Sequence, residues 1–259
     1  MKRLSLFLLV LSFILSSFSG VASADIGRSE EDFGKIVQQV DRMKTNGATK
    51  QDVIQFLESK GIEVLASDTV IFDAKGNESN SMTPMALSPQ LRVLTNYITK
   101  DSDRYYAWVQ VEKKASLPAD ATYELYPASY DVVSINWDSK KFNYVSSGTS
   151  NSANMWLADA DNRNSGTILF NIYDNLEGGG DAWTVSAYAK LSAKTTGQTT
   201  TAAKYTHTYD TTQKSEQYSG TASWTWGSPL EIGVNYTVTT TDVEKNWTKA
   251  ATASVTLSK

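Results

Sequence analysis

From Leu91 to the C-terminus the apolar residues recur with period two, and almost no helical periodicity interrupts them. Residues 167–173 place Ile168, Phe170 and Ile172 on one face. Residues 182–191 place Trp183, Val185, Ala187, Ala189 and Leu191 on one face, and Thr184, Ser186, Tyr188 and Lys190 on the other. The stretch between them holds three successive glycines, Gly178 to Gly180, which permit backbone angles closed to other residues. We therefore expect these two strands to pair as a hairpin at the centre of the fold.

The same alternation recurs in 105–113, where Ala107, Val109 and Val111 oppose Tyr106, Trp108, Gln110 and Glu112. It recurs in 130–137, with Val133, Ile135 and Trp137 together, and again in 219–226, 232–240 and 250–257. Shorter strands are expected over 142–146 and 155–157, and 192–203, rich in threonine, reads as an exposed loop. Many short strands divided by turn residues predict a mainly β fold, an antiparallel β-sandwich rather than a parallel sheet with crossover helices.

Before the strands comes a different pattern. In 29–43, Phe33, Ile36, Val37, Val40 and Met43 share a helical stripe, with Ser29 as cap and Glu30, Glu31 and Asp32 in the first turn. Thr49 caps a second helix, with Asp52 three residues on and Gly61 followed by apolar Ile62 at its end. These predict a short N-terminal αα-hairpin over 25–65, too small for a core of its own. Residues 66–90 read as a linker, with a short strand at Val70 to Phe72 and Pro84 and Pro89 further on. A processed joint there would make the helices a pro-segment, and a plain surface crossing is the simpler expectation. The sandwich is then expected over 91–259.

Residues 1–24 carry Lys2 and Arg3, an apolar run and a small-x-small end at Ala22-Ser23-Ala24. That is the pattern of a cleaved signal peptide, and it predicts a secreted, extracellular protein starting at Asp25, with a bacterial source as a leaning. Loss of the segment takes two bases and no acid, and leaves 22 bases against 28 acids, a formal charge of −6. An acidic chain lacks the field that nucleic acid favours. The chain has no cysteine, which excludes disulfides, thiol nucleophiles and thiolate metal sites. A length of 259 residues is enough for a core to hold such a fold unaided.

Catalytic constellations are thin. His207 is the only histidine and stands between two threonines on a strand, where a packed or solvent-facing role is expected rather than a triad. No nucleophile elbow, P-loop or dinucleotide fingerprint occurs. We expect no catalytic residue. Glu177 and Asp181 form the best-placed carboxylate pair for glycan hydrolysis, a lesser alternative. Asp159 and Asp161, with Asp174, Glu177 and Asp181, supply hard oxygens of the kind Ca²⁺ takes, but Arg163 stands where an EF-hand needs its third ligand. The alternative is a turn whose aspartates bond their own backbone. No other cofactor is expected.

Aromatics are the stronger signal, with seven tryptophans and thirteen tyrosines. Tyr106 and Trp108 oppose an apolar face, so one side of their strand faces outward unless the strand is buried on both sides. Trp224 and Trp226 alternate with Ser223 and Thr225. We take Tyr106, Trp108, Trp224 and Trp226 as candidate surface aromatics that stack on sugar rings. The leading expectation is a non-catalytic extracellular binding module for a cell-wall or other polysaccharide. A pore-forming or membrane-interacting β protein, suggested by the Ser/Thr-rich alternation after Thr195, is one alternative. A structural or protein-partner role through the helical hairpin is another, and oligomeric state is not legible.

Overall fold

The computed structural model describes residues 28–73, 76–78, 91–114, 130–173, 182–210, 223–226, 236–239 and 244–258. The expected signal peptide lies outside them.

Helix α1 spans Glu30–Thr45. The Ser29 hydroxyl accepts from the Asp32 amide at 3.1 Å, and Glu30, Glu31 and Asp32 occupy the first turn, where they meet the positive end of the helix dipole. Helix α2 spans Lys50–Ser59 behind a complete capping box. The Asp52 amide donates to Thr49 Oγ1 at 3.2 Å, and the Thr49 amide donates to Asp52 Oδ2 at 2.8 Å. Gly61, at φ +76°, ends it in a Schellman motif: the Ile62 amide reaches the Leu57 carbonyl and the Gly61 amide the Glu58 carbonyl. The helical hairpin is therefore as the stripes and caps predict.

Among the described residues twelve strands follow: β1 (Glu63–Phe72), β2 (Arg92–Asp101), β3 (Arg104–Lys113), β4 (Asp131–Trp137), β5 (Phe142–Thr149), β6 (Met155–Asp159), β7 (Thr167–Ile172), β8 (Trp183–Ala193), β9 (Gly197–Asp210), β10 (Ser223–Trp226), β11 (Tyr236–Thr239) and β12 (Glu244–Leu257). Sheet 1 has the order β1-β2-β3-β8-β5, sheet 2 the order β12-β9-β4-β7-β6, and β10 pairs with β11 alone. Every pairing is antiparallel. The fold is an antiparallel β-sandwich behind a helical hairpin. One core fills it, with Leu94, Ile98, Val109 and Val185 from sheet 1 against Val133, Ile135, Ile168 and Phe170 from sheet 2.

Three expectations are corrected. The two central strands are real but do not form a hairpin: β7 pairs with β4 and β6 in sheet 2, while β8 pairs with β3 and β5 in sheet 1. Their apolar faces look at each other across the core, and alternation records a strand's buried face without naming its partner. The segment read as a linker opens with β1, a ten-residue edge strand on β2, so the sandwich begins before residue 91. Its alternation is blurred because all but two of its ten residues are only partly buried. The threonine-rich loop is mostly strand: β9 pairs with β12 along fourteen residues and with β4, burying Thr199, Thr201, Ala202 and Ala203. Threonine suits a pleated, half-buried surface, and its polarity alone does not make a loop.

Candidate functional site

The helical hairpin lies on the outer face of sheet 1. Phe33, Ile36, Val37 and Val40 of α1, Val53 and Leu57 of α2, and Ile62 pack on Tyr97, Tyr106, Trp108 and Tyr188. Phe33 stacks on Tyr106 with centroids 3.7 Å apart, and Tyr97 stacks on Trp108 at 4.1 Å. Tyr106 and Trp108 are each 0% exposed, so neither is a surface aromatic. Strand β3 is buried on both faces, by the sandwich core on one and the helices on the other. The buried residues of the helical stripes pack on the sheet here. Burial holds the Tyr97 and Tyr106 hydroxyls above the ordinary tyrosine range, and raises Tyr188 to about 12, with Glu30 adding to it.

Trp224 and Trp226 lie in the separate hairpin. Trp224 pairs with Val238 and Trp226 with Tyr236, while Ser223 and Thr225 pair with Thr239 and Thr237. A further aromatic group escapes sequence reasoning. Tyr130, Trp156 and Tyr173 meet at one end of sheet 2, each partly exposed, with centroids 4.7 Å apart for Tyr130 and Trp156 and 6.1 Å for Tyr130 and Tyr173. The rings stand nearly perpendicular and form a corner, not a flat platform. Only the pairing of β4, β6 and β7 brings them together.

The acidic loop behaves as a turn where it is described. Asp159 Oδ1 accepts from the Asp161 amide at 2.7 Å, a side-chain mimic of a backbone turn. Asp174, Glu177 and Asp181 lie outside the described residues. Among the described residues no three carboxylate or histidine side chains gather as a metal site. Asp159 and Asp161 alone fall well short of the six to eight oxygens that Ca²⁺ takes.

His207 is packed rather than solvent-facing. Its Nδ1 lies 3.0 Å from the Asp131 carboxylate, which also accepts from the Thr208 amide at 2.9 Å and from the Tyr205 hydroxyl. Asp131 and His207 are 0% and 1% exposed, so this network ties β4 to β9 inside the protein. Sequence gave no hint of it, because the two residues stand 76 positions apart.

A second polar cluster sits where α1 meets the sheet. Asp41 Oδ1 accepts from the Ser186 hydroxyl at 2.5 Å and from Gln110 Nε2 at 2.9 Å. Burial pushes the Asp41 carboxyl up to about 6, against the hydrogen bonds of Ser150, Ser186 and Gln110 and with the charge of Glu112. Lys44 lies 3.6 Å from Glu112, which pairs more closely with Lys114 at 2.8 Å. Burial lowers the Lys44 ammonium, and Glu112 opposes that shift. Above Asp41 a groove of about 300 Å³ opens between α1 and the β5–β8 side of the sheet. A second hollow of about 290 Å³ shares Gln38 and Ser150 with it and reaches Tyr188.

No family model matches the chain, and no curated protein does. Among solved structures it is similar to the major pilin subunit BcpA of Bacillus cereus, at TM-score 0.27 and 9% identity over 54% of this chain and 59% of that one. It is also similar to a structure titled a pore forming protein, at TM-score 0.27 and 7% identity over 71% of this chain and 90% of that one. Likenesses this slight bear on neither fold nor function.

Proposed function

We propose that this is a secreted, non-catalytic module that binds an extracellular polysaccharide through exposed aromatic rings. The observation that carries the reading is the corner formed by Tyr130, Trp156 and Tyr173, three partly exposed rings brought to one end of sheet 2. One ring can stack on the C–H face of a sugar while a perpendicular neighbour closes its side. The alternation of Trp224 and Trp226 with Ser223 and Thr225 in the sequence supports a second contact of the same kind. Secretion rests on the N-terminal pattern of basic residues, apolar run and Ala-x-Ala end.

The test is co-sedimentation of the chain from Asp25 to Lys259 with peptidoglycan, cellulose, chitin and liposomes. Retention on one glycan, reduced at least tenfold in Trp156→Ala and further in Trp224→Ala, is the expected result. Retention on liposomes alone would replace this reading with the membrane-active one. No retention on any glycan would overturn it.

A further inference from the structure

We infer that the groove between α1 and the β5–β8 side of sheet 1 is a second glycan subsite, one that reads sugar hydroxyls rather than ring faces. The inference rests on the extracellular glycan reading above. Its first support is the chemistry of the lining. Gln38, Asn46 and Asn151 offer amides that both donate and accept, and Thr184 offers a hydroxyl that does the same. Asp41 and Arg42 add one acid and one base, so their charges cancel. Such a groove favours a neutral ligand rich in hydroxyls over an anion, a cation or an apolar chain.

The second support is Asp41. Its side chain lines the groove, is 5% exposed, and is anchored through Oδ1 by Ser186 and Gln110. Oδ2 is itself enclosed within the protein. The carboxylate is held fixed at the foot of the polar groove. Among the described residues the side chains of Gln38, Arg42 and Asn46, on or just beyond α1, make no hydrogen bond or ion pair within the protein. They are left to face what enters the groove.

The third support is the shape of the adjoining hollow. Tyr188 runs beneath α1, and its hydroxyl donates to the Glu30 carbonyl at 3.0 Å. It fits only because residue 148 is glycine: a Cβ there would stand 2.5 Å from the Tyr188 hydroxyl. Gly34 lies on the other side of the same hydroxyl, and the hollow beside Tyr188, about 290 Å³, shares Gln38 and Ser150 with the groove and extends it along α1.

The test is an amide chemical-shift titration of the full chain with cellotetraose and with chitotetraose. The expected result is saturable shifts at Gln38, Asp41, Asn46, Ser150 and Asn151 with one of the two sugars. Gln38→Ala and Asn151→Ala each weaken that binding about three- to tenfold, the loss of one hydrogen bond. Asn151 is exposed and Gln38 half-buried, and retention of the wild-type spectrum elsewhere checks the fold of both variants. Trp156→Ala leaves the groove shifts in place. Shifts confined to Tyr130, Trp156 and Tyr173 would overturn the groove and leave the wider reading standing. The absence of saturable shifts at the groove with both sugars would overturn it as well.

Discussion

Sheet 1 has two buried faces, and they are built differently. At its inner face Leu94, Ile98, Ala107, Val109, Val185 and Ala187 meet sheet 2, with Asn96 reaching across to the Thr201 carbonyl and hydroxyl at 3.0 and 3.1 Å. At its outer face stacked aromatic rings lie beside Asp41, Gln110, Glu112, Lys44 and Ser186 under the helical hairpin. The inner face resembles the core of any sandwich, in which transfer of apolar area from water dominates. The outer face mixes that transfer with ionisable groups taken out of water, which costs free energy unless each finds a partner. We therefore expect the helical cap to be the weaker of the two attachments and to open before the sandwich does.

The largest effect that bears on this comparison comes from truncating one ring on each side of sheet 1. Phe170→Ala empties the sandwich core and Trp108→Ala empties the helix interface, and each costs about 3–5 kcal/mol. The two losses differ in where they appear. Phe170→Ala lowers the global denaturation midpoint, and amide exchange rises in β4 and β7. Trp108→Ala raises exchange first in α1, while the centre of sheet 2 stays protected. Unchanged stability in Trp108→Ala, with glycan retention lost instead, would show that Trp108 is a ligand contact after all and that the helices do not cover it in solution.

Asp41 provides the next effect. Its carboxyl titrates near 6 in the folded protein against 3.8 in the unfolded chain. Below 3.8 both states are protonated and the group costs nothing. As pH rises from 3.8 to 6 the unfolded chain releases its proton while the folded one keeps it, so stability falls. Above 6 both are ionised and the cost levels off at about 3 kcal/mol. Asp41→Asn keeps an acceptor for Ser186 and Gln110 but has no such slope. Urea denaturation of both proteins from acid to neutral pH measures it: the wild type loses stability relative to Asp41→Asn across that window. Parallel curves would mean that water reaches Asp41 and that the helix interface is as open as any surface.

How much of this was legible in advance follows the range of the interactions. The helices and caps were readable because Thr49 and Asp52, or Gly61 and Ile62, act within one or two turns. Strand faces were readable for the same reason: Ala107, Val109 and Val111 declare their common side locally. Pairing was not. The apolar faces of β7 and β8 suit a hairpin and a facing pair of sheets equally well, and only the closed sandwich decides. Tyr106 and Trp108 looked like an outer surface because the helices that bury them lie more than 40 residues earlier in the chain. The Tyr130 corner and the Asp41 groove escaped notice because each draws on strands or helices far apart in sequence. The candidates Trp224 and Trp226 could be singled out because their alternation with Ser223 and Thr225 is local.

The smallest effect tests whether cap and sandwich are separate units at all. Thr49→Ala removes the hydroxyl that accepts from the Asp52 amide, and frees the Asp52 carboxylate from the Thr49 side chain and thus from half of its capping geometry. Loss of such a cap costs about 1 kcal/mol, and Thr49→Ser restores it. Helix α2 buries only Val53 and Leu57 completely, so little else holds its first turn. If the cap opens on its own, faster amide exchange in Thr49→Ala is confined to α2 and α1, and β3 and β8 exchange as before. If exchange rises equally in β3 and β8, the helices and sheet 1 unfold as one body. The mixed outer face would then be as firmly held as the apolar inner one, and the polar groups around Asp41 would have to be net stabilising.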